Sequence, residues 1–177
     1  IGRIHRPSCG LFLLTSFCYR VVGTGPEGML KIGDIASERL REVYGYWRSK
    51  IAAGRLPARA SINPLDIPKL LPFIFLVDVE RDPQRFRFRL VGTEICTWAG
   101  RDMTGLYTDE ERYGERGPGI SREYGEVVAR RQPMYREQKA RRPERDYMFY
   151  QKVVLPLSGD GEHVDMLLCA TDALAPT

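Results

Sequence analysis

A chain of 177 residues, 43% hydrophobic and 28% charged, has the size and composition of one well-cored soluble domain plus an appendage, which excludes two ordinary domains, a membrane-embedded chain and a disordered one. The net charge of +4 leans only weakly towards acidic partners, because acids such as Asp109, Glu110, Glu111, Glu115, Glu123 and Glu126 interleave with the bases and blunt a phosphate-binding face. Nucleic acid is therefore not an expected partner, and Arg130, Arg131, Arg141 and Arg142 read as solvated surface.

The first 28 residues open without Met and carry Arg3 and Arg6 ahead of a short apolar run. They resemble a signal peptide in outline but lack a small-x-small cleavage site, and the run is too short to span a bilayer. Residues 1–28 are expected to be a leader outside the domain, with export as the alternative, and Met29 opens a normal soluble start. Over residues 29–54 the spacing predicts an amphipathic helix, with Leu40, Val43, Tyr44, Trp47 and Ile51 on one stripe, Asp34 as its cap and Gly54 as its end. That stripe must cover either its own sheet or the same helix in a second subunit, and it supplies the candidate dimer interface.

The domain proper is expected over residues 55–174. Pro57, Pro64, Pro68 and Pro72 forbid a long helix between residues 55 and 72, and Asp66 is placed to cap a single turn. Phe73 to Glu80 is a near-continuous apolar run and reads as a central strand. A turn at Arg81 to Gln84 leads into RFRFRL, whose period-two alternation puts Phe86, Phe88 and Leu90 on a core face and Arg87 and Arg89 in water. Gly92 and Thr93 then turn the chain into a short helix with Thr93 as cap and Glu94 in its first turn. A longer helix is predicted from near Ser121 to Pro133, followed by strands in MYREQKARR, RDYMFYQKVVLPLS and, after the GDGE turn, HVDMLLCATDAL. The alternation in Asp146 to Val154 is too weak to say which set faces inward. Helix, two hairpin strands, inserted helices and three more strands make an α+β fold, with a binding cavity expected between sheet and inserted helices.

The chemistry-bearing residues are sparse. Four cysteines, Cys9, Cys18, Cys96 and Cys169, form no CxxC pair and have no His at ligand spacing, so no metal site is expected. Cys96 and Cys169 lie in apolar segments and read as small buried hydrophobes, which suits a reducing compartment and a cytoplasmic location. No hydrolase, P-loop or dinucleotide motif occurs, so no catalytic residue is nominated. His163 and Asp165 share a face beside an exposed turn and read as turn residues.

The hairpin FIFLVDVERDPQRFRFRLVGTEI, the GRDMTGLY turn and the paired terminal strands FYQKVVLPLSGDGEHVDMLLCATDA together resemble a PAS domain. The pair LPARASINPLDIPKLLPFIFLVDV and RFRFRLVGTEI is more narrowly similar to a family of short bacterial proteins made of one PAS domain, once listed as a domain of unknown function. The resemblance runs from about Ile35 to Ala173. It implies a PAS-like five-stranded antiparallel sheet, a ligand pocket under the inserted helices and an N-terminal helix packed on the sheet or on a second subunit. Trp98, Tyr107, Tyr124, Met148, Tyr150 and Met166 are the pocket candidates, though aromatics in such places also serve as plain core. Haem is not supported, since His5 and His163 are not placed as axial ligands, and flavin is not supported, since TEICTWAG around Cys96 lacks the Asn-Cys-Arg-Phe motif.

The expected function is a non-catalytic sensory or regulatory module that binds a small molecule and signals through a protein partner. The alternatives are a ligand-free dimerisation or interaction module using the Trp47 helix, and a nucleic-acid-binding regulator using the arginines.

Overall fold

The computed structural model describes residues 20–22, 30–110, 116–142 and 145–173. The expected leader therefore lies outside the described residues, except for a three-residue strand, β1 (Arg20–Val22). After it come α1 (Glu38–Ser49), β2 (Ile74–Arg81), β3 (Gln84–Val91), α2 (Thr93–Ala99), α3 (Arg116–Arg130), β4 (Met134–Arg142), β5 (Arg145–Leu157) and β6 (Met166–Ala173). The five expected strands form an antiparallel sheet in the order β4-β5-β6-β2-β3, and β1 pairs with β4 at one edge. Hairpins at β2–β3, β4–β5 and β5–β6 supply the local pairings. The long-range closure is β2 against β6, where Phe75 opposes Cys169. The α+β, PAS-like architecture expected from the sequence is thus the one observed.

Two cores lie on opposite faces of this sheet. One packs Leu40, Val43, Tyr44 and Trp47 of α1 on Ile74, Leu76, Val153, Leu155, Leu157 and Leu168. The other packs α2, α3 and the adjoining loop on Phe75, Val77, Phe86, Phe88, Val154, Leu167 and Cys169. Strand β5 feeds both, which is why every residue from Gln151 to Ser158 is buried. The alternation left open in the sequence is thereby fixed: Val153, Leu155 and Leu157 face α1, whereas Lys152 and Val154 face α3.

Several local expectations are corrected. Leu90 is 48% exposed rather than core. The β2–β3 register slips between Leu76 and Val77, so that Leu90 opposes Leu76 while Phe88 opposes Val77. The bulge inserts Arg89 as an extra residue, and the inward phase resumes at Val91 instead. The cap of α1 is Ser37, whose side chain accepts from Leu40 N; Asp34 closes a preceding single turn by accepting from Lys31 N. That helix ends at Ser49, before Gly54, which shapes the turn beyond it with φ 72°. Asn63, not Asp66, caps the turn Pro64–Asp66. Helix α2 is preceded by Gly92, and Thr93 makes no cap bond. A Cβ at Gly92 would lie 2.3 Å from the Pro72 carbonyl oxygen, so the close approach of the two chains, rather than capping, selects glycine there. Helix α3 begins at Arg116, five residues ahead of Ser121, because Pro118 falls in the first turn, where a missing N–H costs no intrahelical bond.

The free edge of β3 is covered by the segment after α2. Gly105 N donates to Phe88 O (2.6 Å), Phe88 N to Leu106 O (2.9 Å) and Thr108 N to Phe86 O (2.9 Å). These bonds answer the unpaired backbone of an edge strand and hold Leu106 and Met103 against the α3-side core.

Candidate functional site beneath α3

Alternation along β4 and β5 brings four polar side chains to the face that α3 covers. The register places Arg136 opposite Lys152 and Gln138 opposite Tyr150. Helix α3 supplies Glu123, 2% exposed, beside Tyr124 and one turn before Val127, both of them core residues. Lys152 Nζ lies 2.5 Å from Glu123 Oε1, and Arg136 Nη1 lies 3.3 Å from Glu123 Oε2. Gln138 Nε2 donates to the same Oε2 at 3.4 Å, and the Tyr150 hydroxyl donates to Gln138 Oε1. Lys152 also stands 5.2 Å from the Tyr124 ring centroid. An ammonium, a guanidinium and a carboxamide thus close on one carboxylate in a site largely shielded from water.

Burial opposes the charged form of Lys152, but the facing Glu123 carboxylate and the neighbouring Tyr150 and Cys169 outweigh it and raise its pKa above the ordinary lysine value. The facing carboxylate thus favours the ammonium form of Lys152. On the same face, burial pushes the Cys169 thiol far up, away from a reactive thiolate. Cys96 is also raised, chiefly by desolvation and then by nearby Asp102. Such a buried ionic cluster adds little net stability compared with apolar packing, since desolvation offsets most of the attraction. Its presence under α3 is not explained by packing.

Of the residues nominated from sequence, Tyr124 and Tyr150 belong to this face. Tyr124 is 1% exposed, edge-on to Phe86 at 5.5 Å. Trp98 sits half-buried at the end of α2 against Phe73, 6.0 Å between centroids. Tyr107 points away, donating its hydroxyl to Glu80 Oε1 (2.8 Å) while the Arg85 guanidinium stacks 3.8 Å over its ring. Met166 is buried in the opposite, α1-side core. Met148 opposes Ala140 in the β4–β5 ladder, and its side chain lies outside the described ones. The six candidates therefore do not converge on one cavity. The charged residues that do converge, Glu123, Lys152 and Arg136, were missed; the available signal was a lysine inside QKVVLPL, a run apolar enough to be buried on both faces.

The interface candidates of α1 pack on the chain's own sheet. Leu40, Val43, Tyr44 and Trp47 are between 0% and 3% exposed, inside the chain's own core. Trp47 Nε1 donates to Pro156 O (2.9 Å), and the Tyr44 hydroxyl donates to Leu30 O (2.7 Å). Of the two covers the sequence left open, the sheet takes the stripe, and only Ile51, at 37% exposure, remains outside. The start of α1 is pinned by a second polar junction. Ser37 N donates to Gln151 Oε1 (2.9 Å), Ser37 Oγ donates to Asp172 Oδ2 (2.6 Å), and Arg39 pairs with Asp172. An open cleft of about 440 Å³ lies at this junction, lined by Arg39, Glu42, Lys69, Gln151 and Asp172 among others.

His163 and Asp165 build the exposed β5–β6 turn, as expected. His163 Nδ1 lies 2.9 Å from Asp160 Oδ2, and Asp165 Oδ2 accepts from Gly159 N at 2.7 Å. Among the described residues, no helix is long and apolar enough to cross a membrane. A family model described as the PAS domain matches residues 35–171. No curated protein matches the chain.

Proposed function

The chain belongs to the PAS-domain family, a class of sensory and regulatory modules, and on that premise we propose that this member binds a small molecule beneath α3 and passes the event to a protein partner. The observation that carries the reading is the buried pair Glu123 and Lys152 with the part-buried Arg136 and Gln138 beside it, polar groups gathered where α3 meets the sheet and packing alone would place apolar ones. A binding role, not a catalytic one, is supported by the state of the groups: the lysine is held as a cation by Glu123, and the Cys169 thiol is pushed away from ionisation. The free thiols of Cys96 and Cys169 suit a reducing, cytoplasmic setting.

Native mass spectrometry of the full chain, followed by denaturation and analysis of what is released, tests the reading. The expected result is a stoichiometric small-molecule mass that disappears on denaturation. An empty protein would instead favour the ligand-free interaction module, a second reading supported by the way side chains fill the space under α3. The same spectrum reports the oligomer. A homodimer, if formed, must use a surface other than the Leu40–Trp47 stripe, which is committed to the sheet.

A further inference from the structure

We infer that the donor set beneath α3 is a receptor for a small carboxylate whose place is held, in this structure, by the side chain of Glu123; this deepens the sensory reading and rests on it. Lys152 Nζ stands in ion-pair contact with one oxygen at 2.5 Å, and on the other oxygen Arg136 Nη1 makes an ion-pair contact at 3.3 Å and Gln138 Nε2 donates a hydrogen bond at 3.4 Å. All three stand on β4 and β5, at positions that the ladder fixes by pairing Arg136 with Lys152. The helix contributes only the acceptor. A carboxylate brought from outside meets the same three donors without any rearrangement of the sheet.

Some carboxylate must be there, because an unanswered buried ammonium is expensive. The surroundings also specify the body of the competing molecule. Tyr124, Val127, Met134 and Val154 are apolar core residues of the same face, so a short aliphatic or aromatic acid fits better than a polyol or a sugar. Exchange is non-covalent: the incoming carboxylate takes the donors, Glu123 is released, and α3 loses its polar hold on the sheet.

Rescue by added carboxylate tests the inference on the full chain. Glu123→Ala removes the internal occupant and leaves the donors in place. Sodium propionate is expected to raise the Tm of this variant with the logarithm of its concentration, by about 3–6 °C at ten times its dissociation constant. Sodium chloride at equal ionic strength and propionamide should not do so, and adding Lys152→Met should abolish the rise. The wild-type protein should need at least about tenfold more propionate, since Glu123 must first be displaced. If Glu123→Ala does not fold, Glu123→Ser, which also vacates the place of the carboxylate, is read in the same way. A rise no larger than that caused by chloride in the folded variant overturns the inference. Rescue in the variant supports the carboxylate class even where the wild-type protein purifies empty. Release of a molecule without a carboxylate from the wild-type protein overturns the ligand class and keeps the sensory reading, whereas no release together with no rescue overturns both.

Discussion

Replacing Trp47 by alanine removes a ring that is 3% exposed, stacked on Tyr44 at 5.9 Å and bonded through Nε1 to Pro156 O. A tryptophan buries about 150–250 Å², which at about 25 cal/mol per Å² gives about 4–6 kcal/mol as an upper bound. Measured truncations of buried Phe and Trp give about 3–5 kcal/mol, and the orphaned carbonyl adds about 1 kcal/mol. A loss near 4 kcal/mol lowers Tm by about 8–16 °C in a chain of this length. Circular dichroism melts and urea titrations read it, with Trp47→Phe as a control that keeps most of the packing, loses the N–H bond and should cost about 1–2 kcal/mol. The oligomeric mass of whatever remains folded should be unchanged. A Trp47→Ala protein that melts within about 2 °C of wild type but changes its oligomer would refute the assignment of this stripe to the sheet.

Four further outcomes are expected. Gly92→Ala forces a Cβ to 2.3 Å from Pro72 O and should cost about 1–3 kcal/mol in urea unfolding; a neutral result would mean that the segment before β2 moves freely. Lys152→Met alone should cost about 3–5 kcal/mol by removing the nearest of the three groups around the buried Glu123 carboxylate, while Lys152→Met with Glu123→Leu should recover most of it, a double-mutant cycle whose failure would deny the ion pair. Because the folded pKa of Lys152 is raised, its contribution should be fully present below 10.5 and be lost as pH climbs through the higher folded value; on the alkaline side the stability-against-pH curves for wild type and the double variant should change in slope relative to each other there. The Asp160 carboxyl is held well below its usual 3.8 by the His163 backbone N–H and side chain and by Glu162 N–H, so NMR titration should find it still ionised at a pH where exposed aspartates have protonated.

Reading the sequence succeeded where one face decides the residue type. FIFLVDVE, the RFRF alternation and the paired terminal strands each declare a strand, and their order declares the sheet. Leu90 escaped because a bulge adds one residue without altering composition, and alternation carried past it predicts the wrong side. The stripe of α1 was plain, but an apolar stripe does not say whether it meets its own sheet or another copy. Met166 and Tyr107 were nominated for the α3 side and lie elsewhere, because their facing is set by partners distant in sequence. Glu123, in SREYGEVV, looks like an ordinary solvated helix residue; only the docking of α3 over Lys152 makes it internal.

Consecutive residues of β5 hold the two helices that sandwich the sheet. Gln151 accepts from the N-cap of α1, and Lys152 grips Glu123 of α3. Adjacent residues of a strand face opposite ways, and their Cα atoms are about 3.8 Å apart. The tie between the two helices is thus a single peptide unit, with no chain of packed side chains needed between them. Any twist or slide of β5 that loosens the grip on one helix must reposition the anchor of the other, so the sheet acts less as a wall between two layers than as their common axle.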